Sequence, residues 1–213
     1  MAWLRWPRKP HAPAARSGEP GVGVEEACPG IARVLARLFG SGKQPEVLDL
    51  GQAAGSPALY LADRGARVHV ENFEPPSPAA DEGVEASAAP PPLRIGQPDA
   101  KFDLVLAWEH GDFVPPERLD EFTAELRRVL APGGWLVLFA QDRRREDGVC
   151  SDRASSYRLA ADDRIVRQPR RGPARPRWAY PNRRIERALA PLAVQGIHLH
   201  GDRVREVVAQ KTR

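Results

Sequence analysis

The chain has 213 residues, 32 basic and 28 acidic side chains and a formal net charge of +4. This length is enough for one α/β domain with a substantial core, and we expect a single domain. No apolar run approaches the roughly 20 residues that a membrane-spanning helix needs, and the first residues lack the apolar core of a signal peptide. We therefore expect a cytoplasmic protein, and the many Ala, Arg and Pro residues suggest a bacterial one.

Charge is unevenly distributed along the chain. From residue 71 to 125 there are thirteen acids against three bases, whereas from 142 to 187 there are fourteen arginines against seven acids. These two segments either pair with each other or face different partners.

Neither cysteines nor histidines form a metal-ligand pattern. The two cysteines, Cys28 and Cys150, lie far apart in sequence, and His69, His198 and His200 alternate with other residues on predicted strands. We predict reduced thiols and no metal site.

The first 24 residues are rich in Pro, Gly, Ala and Arg without periodicity, which predicts a disordered basic arm before a domain over residues 25–213. Within the arm, Trp3 and Trp6 either dock on the domain, a membrane surface or nucleic acid, or cover a local apolar patch. Apolar spacing predicts a helix from Pro29 to Phe39, before Gly40.

Residues 47–55 read VLDLGQAAG, which predicts a strand that ends in a glycine-rich turn. A helix over residues 56–64 and a strand over residues 66–70, followed by Glu71, complete a unit that brings backbone close to a ligand. The next segment, residues 72–98, contains seven prolines and excludes a long helix. Only Leu93–Ile95 is a candidate for a third strand.

The second half of the chain contains further predicted strands and helices. Residues 104–108 and 135–140 form strands around a helix that begins near Pro116. Residues 142–180 are an Arg-rich insertion with possible short strands at 157–159 and 164–166. A helix over residues 182–192 precedes two strands, residues 196–200 and 205–210.

Three motifs carry a family resemblance. Val47, Leu48, Asp49, Gly51 and Gly55 match a hydrophobic-hydrophobic-Asp-x-Gly-x-Gly-x-Gly signature in which Ala53 replaces the middle glycine, and FDLVL at 102–106 and LAPGG at 130–134 follow in order. Over about residues 46 to 141, the chain resembles class I S-adenosylmethionine-dependent methyltransferases. The resemblance implies a three-layer, Rossmann-like α/β fold with a mostly parallel seven-stranded sheet and an antiparallel C-terminal hairpin.

The resemblance also implies a cofactor site for S-adenosylmethionine, with seven candidate residues: Asp49, Gly51, Gln52, Ala53, Gly55, Glu71 and Trp108. Asp49 either accepts from the ammonium group of the cofactor or braces the loop. Glu71 is the candidate for the ribose hydroxyls, Glu74 is the alternative and Asn72 can share the role. The alternative is that the turn serves only to pack a helix on a strand and binds no cofactor.

Glu109 and His110 fall where the resembling family has substrate-contacting and catalytic residues, and either is a candidate base. For His110 the alternative is an ordinary surface loop. The expected function is methyl transfer to an unknown acceptor. Ala53 and the proline-rich segment favour a second hypothesis, a catalytically degenerate binding or regulatory module, and the arginines of residues 142–187 favour a third, association with RNA.

Overall fold

The computed structural model describes residues 23–51, 57–75, 92–142, 149–152, 155–169, 175–201 and 203–212. Within them, the helices are α1 (Pro29–Phe39), α2 (Ala58–Asp63), α3 (Leu119–Val129) and α4 (Asn182–Leu189). The strands are β1 (Val24–Ala27), β2 (Glu46–Asp49), β3 (Arg67–Val70), β4 (Phe102–Leu106), β5 (Leu130–Gln141), β6 (Val149–Asp152), β7 (Ser155–Ala161), β8 (Arg164–Pro169), β9 (Arg175–Trp178), β10 (Ala193–Leu199) and β11 (Val204–Gln210). Trp3 and Trp6 lie outside the described residues.

The central sheet has the strand order β10-β11-β5-β4-β2-β3. Strands β3, β2, β4 and β5 are parallel, and β11 and β10 add an antiparallel hairpin at one edge. The predicted mostly parallel sheet with a C-terminal antiparallel hairpin is confirmed. None of the helices in the described part of the chain has the length and apolar character for crossing a bilayer.

Apolar side chains cover both faces of this sheet, which accounts for the three layers. On one face, Ile31, Val34 and Leu35 of α1 are buried with Leu61 of α2. On the other, the apolar stripes of α3 and α4 pack against the sheet. Burying a side chain of this size contributes about 1.5–3 kcal/mol, so the periodicity of each helix selects its face.

The number of strands differs from the prediction: six strands, not seven, form the central sheet of the described residues. Leu93 and Ile95 are buried in an extended segment, but no strand forms there. The backbone N–H of Leu93 donates to Glu121 of α3 at 2.7 Å, and that of Ile95 donates to Glu125 at 3.0 Å. Side chains of α3 thus provide the partners that a neighbouring strand would have provided.

The LAPGG turn, residues 130–134, follows α3 directly and forms the start of the long strand β5. Gly133 has φ +80°, a region that glycine enters without steric cost. A Cβ on Gly134 would lie 2.7 Å from the carbonyl oxygen of Phe102, so only glycine allows β5 to approach β4 this closely. The turn is therefore a structural requirement of the parallel β4–β5 pair.

The Arg-rich insertion contains more strands than the sequence predicts. The two predicted short strands form as β7 and β8, which pair as an antiparallel hairpin, and β1 extends it into a three-stranded antiparallel sheet. Strands β6 and β9 form a separate pair. Strand β1 begins at Val24, the last residue of the predicted disordered arm.

Candidate cofactor and acceptor site

Asp49 lies at the carboxyl end of β2 and is fully buried. Its Oδ1 accepts hydrogen bonds from the Gly51 N–H at 2.9 Å and from Trp108 Nε1 at 2.7 Å. A Cβ on Gly51 would lie 2.9 Å from Oδ1 and 3.3 Å from Nε1. Glycine is therefore needed at this position for packing inside the protein itself, and the geometry corresponds to the bracing role considered for Asp49.

The remaining turn residues with a predicted cofactor role, Gln52, Ala53 and Gly55, lie outside the described residues. Their contacts with a cofactor stay predictions.

Glu71 follows β3, the strand adjacent to β2, and its N–H donates to the Asp49 carbonyl at 2.9 Å. The two candidate acids thus leave the same edge of the sheet. The Glu71 carboxylate accepts from the Gly96 N–H at 2.7 Å and from Gln97 Nε2 at 3.1 Å. Because a carboxylate offers about four lone-pair sites, these two bonds orient Glu71 and leave acceptor capacity for a ribose diol. A carboxylate with this remaining acceptor capacity fits the ribose of the predicted cofactor.

The two alternatives to Glu71 for the ribose role are more exposed to solvent. Asn72 and Glu74 are exposed, and Asn72 Nδ2 lies 3.5 Å from Glu74 Oε1.

Trp108 connects the cofactor edge to the Arg-rich insertion. Its backbone has φ +26°, a region that costs a large side chain conformational energy and is concentrated at functional positions. The indole is 3% exposed and stacks on Tyr157 of β7 with 4.7 Å between ring centroids. Phe139 of β5 packs against both rings. Trp108 is thus held by Asp49 at its nitrogen and by aromatic rings at its faces.

Glu109, a predicted catalytic residue, is buried in an ion-pair cluster. Arg177 NH2 lies 3.1 Å from Glu109 Oε2 and donates to Asp112 Oδ2 at 2.8 Å. Glu109 also accepts from the Ser155 N–H at 3.2 Å, and Asp112 accepts from the Gln141 N–H at 2.9 Å. The segment after β4 and strands β5, β7 and β9 therefore meet around one guanidinium.

Electrostatics in this cluster follow from two carboxylates sharing one cation. Burial raises the pKa of Asp112 from 3.8 to about 6, against the opposing effect of Arg177, and Glu109 adds to the increase. Burial disfavours the charge of Arg177, but Glu109 and Asp112 outweigh this and raise its pKa. The two carboxylates thus favour the charged form of Arg177, and burial makes Asp112 bind a proton more readily than an exposed aspartate does.

His110, the second predicted catalytic residue, is only partly buried, beside Phe73 with 6.1 Å between the rings. Its Nδ1 lies 3.0 Å from the carbonyl oxygen of Ala107. A carbonyl only accepts, so this contact places the proton of a neutral ring on Nδ1 and the basic lone pair on Nε2. His110 thus bonds to the backbone through Nδ1, whereas Glu109 is paired with Arg177.

Comparison with known proteins finds similarity to methyltransferases. A family model described as a methyltransferase domain matches residues 48–138, which include the end of β2, Glu71, β4 and most of β5. The region that contains the candidate cofactor site is thus similar to a methyltransferase domain. A curated relative, the probable chloroplastic tocopherol O-methyltransferase of Oryza sativa subsp. japonica, is 30% identical over 109 residues, which are 45% of this chain. The chain spans only 29% of that relative's length.

Solved methyltransferase structures share the fold of this chain. The 1,6-didemethyltoxoflavin-N1-methyltransferase of Burkholderia thailandensis, with bound S-adenosylhomocysteine, is 19% identical with a TM-score of 0.51, over 87% of this chain and 77% of that one. The N-methyltransferase NodS of Bradyrhizobium japonicum, also with S-adenosylhomocysteine, is 18% identical with a TM-score of 0.51, over 86% of each chain. At these identities the likeness is one of fold.

Sequence patterns missed Arg177, Asp112 and Tyr157 as parts of one site. The unequal charge distribution was the available signal, because Arg177 comes from the basic segment and its two carboxylates from the acidic one. Arg184 and Asp120 form a second such pair at 2.6 Å. Part of the basic segment is thus neutralised by acidic side chains of the same chain.

Proposed function

We propose that this protein transfers a methyl group from S-adenosylmethionine to an acceptor, with the cofactor held along residues 49–55 and Glu71. The observation that carries the proposal is the oriented Glu71 carboxylate at the end of β3, beside Asp49 at the end of β2. In an open α/β sheet, ligands bind at the carboxyl ends of the strands where strand order reverses, and β2 lies at that point between β3 and β4.

S-adenosylmethionine supplies an already activated methyl group, so the protein has mainly to position donor and acceptor and to remove a proton. In this proposal Asp49 and Gly51 shape the turn and Glu71 accepts the ribose hydroxyls. Trp108 forms the wall next to the methionine half. His110 is the preferred base, because Glu109 is paired with Arg177. Glu109 then acts by fixing the position of the chain after β4.

Titration calorimetry with S-adenosylmethionine and S-adenosylhomocysteine tests the cofactor. Glu71→Ala should weaken binding by about 1.5–3 kcal/mol, since it removes hydrogen bonds to a charged group. Glu74→Ala is the matched control, because Glu74 is a nearby exposed acid. A wild-type protein that binds neither compound would refute the proposal, and a larger loss in Glu74→Ala would transfer the ribose role to Glu74.

A second candidate function is a binding module without catalysis. It is favoured by the way in which Tyr157 and Arg177 cover the residues after β4, so that Glu109 and Asp112 face the protein's own insertion. Incubation with a cell extract and labelled S-adenosylmethionine separates the two functions. Transfer of label by the wild type but not by Glu71→Ala indicates an enzyme, whereas cofactor binding without any transfer favours the module.

RNA association and a bacterial, cytoplasmic location are the remaining parts of the proposal. Arg158, Arg164, Arg183 and Arg187 are exposed within residues 142–187 and are available for phosphate contacts. If RNA binds through them, the logarithm of affinity falls linearly with the logarithm of salt concentration. Filter binding with mixed RNA at low salt tests this, and the absence of any complex would end the RNA hypothesis. Cell fractionation tests the location.

A further inference from the structure

Three side chains from distant parts of the sequence meet on the α1 face of the sheet. Cys28 precedes α1, His200 follows β10 and Glu206 lies in β11. One potential ligand atom from each lies within 4.8 Å of those of the other two. Cys28 and Glu206 are fully buried, and the His200 side chain is 5% exposed.

His200 points a ring nitrogen into this cluster. Its Nε2 is buried without a hydrogen bond among the described residues and lies 3.6 Å from Glu206 Oε2. Its other nitrogen, Nδ1, lies 3.4 Å from Glu26 Oε2. A metal-bound histidine almost always donates its second ring N–H to a carboxylate in this way, which fixes the ring and leaves Nε2 as the ligand atom.

The other two members are also positioned by the fold. Glu206 Oε2 accepts from the Gly30 N–H at 3.0 Å, and Oε1 accepts from the Ile31 N–H, so the start of α1 fixes the carboxylate. Cys28 is the residue at the N-cap of α1, but its side chain makes no capping hydrogen bond. The thiol is therefore not used in holding the helix.

We propose that Cys28 Sγ, His200 Nε2 and a carboxylate oxygen of Glu206 form a binding site for a divalent cation such as Zn²⁺. Glu26 holds the imidazole ring of His200 through Nδ1. Thiolate, imidazole and carboxylate are all groups that bind zinc, and zinc takes four ligands in structural sites. Ligands at 2.0–2.3 Å from a tetrahedral ion are separated by roughly 3.2–3.8 Å, a range that includes the distance between Nε2 and Oε2. A water molecule would be the fourth ligand.

The charges around the cluster fit a cation. A thiolate, Glu206 and Glu26 carry three negative charges, against Zn²⁺ and Arg167, which lies 3.3 Å from Glu26. Asp163 is a further acid near Cys28, and its carbonyl oxygen accepts from the Cys28 N–H at 2.7 Å. Such a cation would join the start of α1 to the C-terminal hairpin. The alternative is a cluster without a metal ion. In it the Cys28 thiol is protonated and a His200 imidazolium lies between Glu26 and Glu206.

Cobalt titration of the metal-depleted full chain, without a histidine tag, tests the site. We expect one equivalent of Co²⁺ to produce a thiolate-to-metal charge-transfer band that Zn²⁺ abolishes by competition. Cys28→Ser should lose the band, and the matched control Cys150→Ser should keep it. A wild-type protein without the band, or a band that disappears only in Cys150→Ser, would overturn the proposal.

Thermal unfolding with added Zn²⁺ provides a second measurement that does not depend on the folding of Cys28→Ser. Zn²⁺ should raise the Tm of the wild type and of Cys150→Ser. Glu26→Gln keeps all three ligands and should weaken Zn²⁺ binding by about 10- to 100-fold. This is the usual effect of changing a residue that hydrogen-bonds to a metal ligand. If Zn²⁺ leaves the wild-type Tm unchanged, the cluster is the metal-free ion pair. None of these measurements involves methyl transfer, so their outcome is independent of the proposed activity.

Discussion

The indole ring of Trp108 and the phenol ring of Tyr157 lie nearly parallel, with 9° between their planes. This contact joins the residues after β4, which belong to the region matched by the family model, to a strand of the Arg-rich insertion. Tyr157 is 5% exposed, and burial raises the pKa of its hydroxyl well above 10. Strand β7 of the insertion is therefore packed into the core through Tyr157.

Removing the Tyr157 ring should destabilise the protein strongly. Tyr157→Ala deletes a buried aromatic side chain and should lower the free energy of unfolding by about 3–5 kcal/mol. Tyr157→Phe keeps the stack with Trp108 and should cost much less. Urea unfolding measures both, with Arg158→Ala, an exposed neighbour on β7, as the control. Equal losses for Tyr157→Ala and Arg158→Ala would contradict a structural role for the stack.

Arg177 should be essential for the cluster after β4. Arg177→Met leaves Glu109 and Asp112 buried without their cation, which typically costs about 3–5 kcal/mol. Combining it with Glu109→Gln and Asp112→Asn removes the uncompensated charge and should recover part of that loss. Arg187→Met changes an exposed arginine and serves as the control in the same urea series. If Arg177→Met and Arg187→Met unfold at the same urea concentration, the cluster does not stabilise the fold.

Asp112 should make stability depend on pH. Because burial raises its pKa from 3.8 to about 6, the folded state binds this proton more tightly than the unfolded state does. The contribution is fully present below about pH 4 and is lost as pH rises through about 6, an effect of up to about 3 kcal/mol. Unfolding of the wild type and of Asp112→Asn between pH 4 and pH 7.5 measures it. Parallel stability curves for the two proteins would show that Asp112 has an ordinary pKa.

Glu125 should protect the segment that replaces the third strand. Its carboxylate accepts from the Ile95 N–H and pairs with Arg128 at 2.8 Å, and Arg128 in turn donates to the Ile95 carbonyl. Glu125→Ala should therefore speed amide exchange at Ile95 and lower stability by about 1–3 kcal/mol. Hydrogen exchange detects the change, and Glu117→Ala, an exposed acid before α3, is the control. Unchanged exchange at Ile95 would mean that burial alone holds the segment.

The sequence by itself determined the α/β architecture of this chain. Alternating apolar runs and helical periodicity predict β2, β4, β5, α1 and α3, and each of these forms in the structure. The glycines of the LAPGG turn and the acids at 49 and 71 were also found from sequence alone. These features are local, since the period of an amphipathic element, the need for φ above zero and the end of a strand are encoded in a few consecutive residues.

Only the tertiary structure decided which distant side chains share a site. Cys28, His200 and Glu206 are brought together because β11 pairs with β5 and packs beneath the start of α1. Arg177 reaches Glu109 and Asp112 because β9 of the insertion lies beside the segment after β4. No spacing in the sequence encodes these contacts. They depend on the pairing of strands far apart in the chain, where buried charges must find partners within the fold.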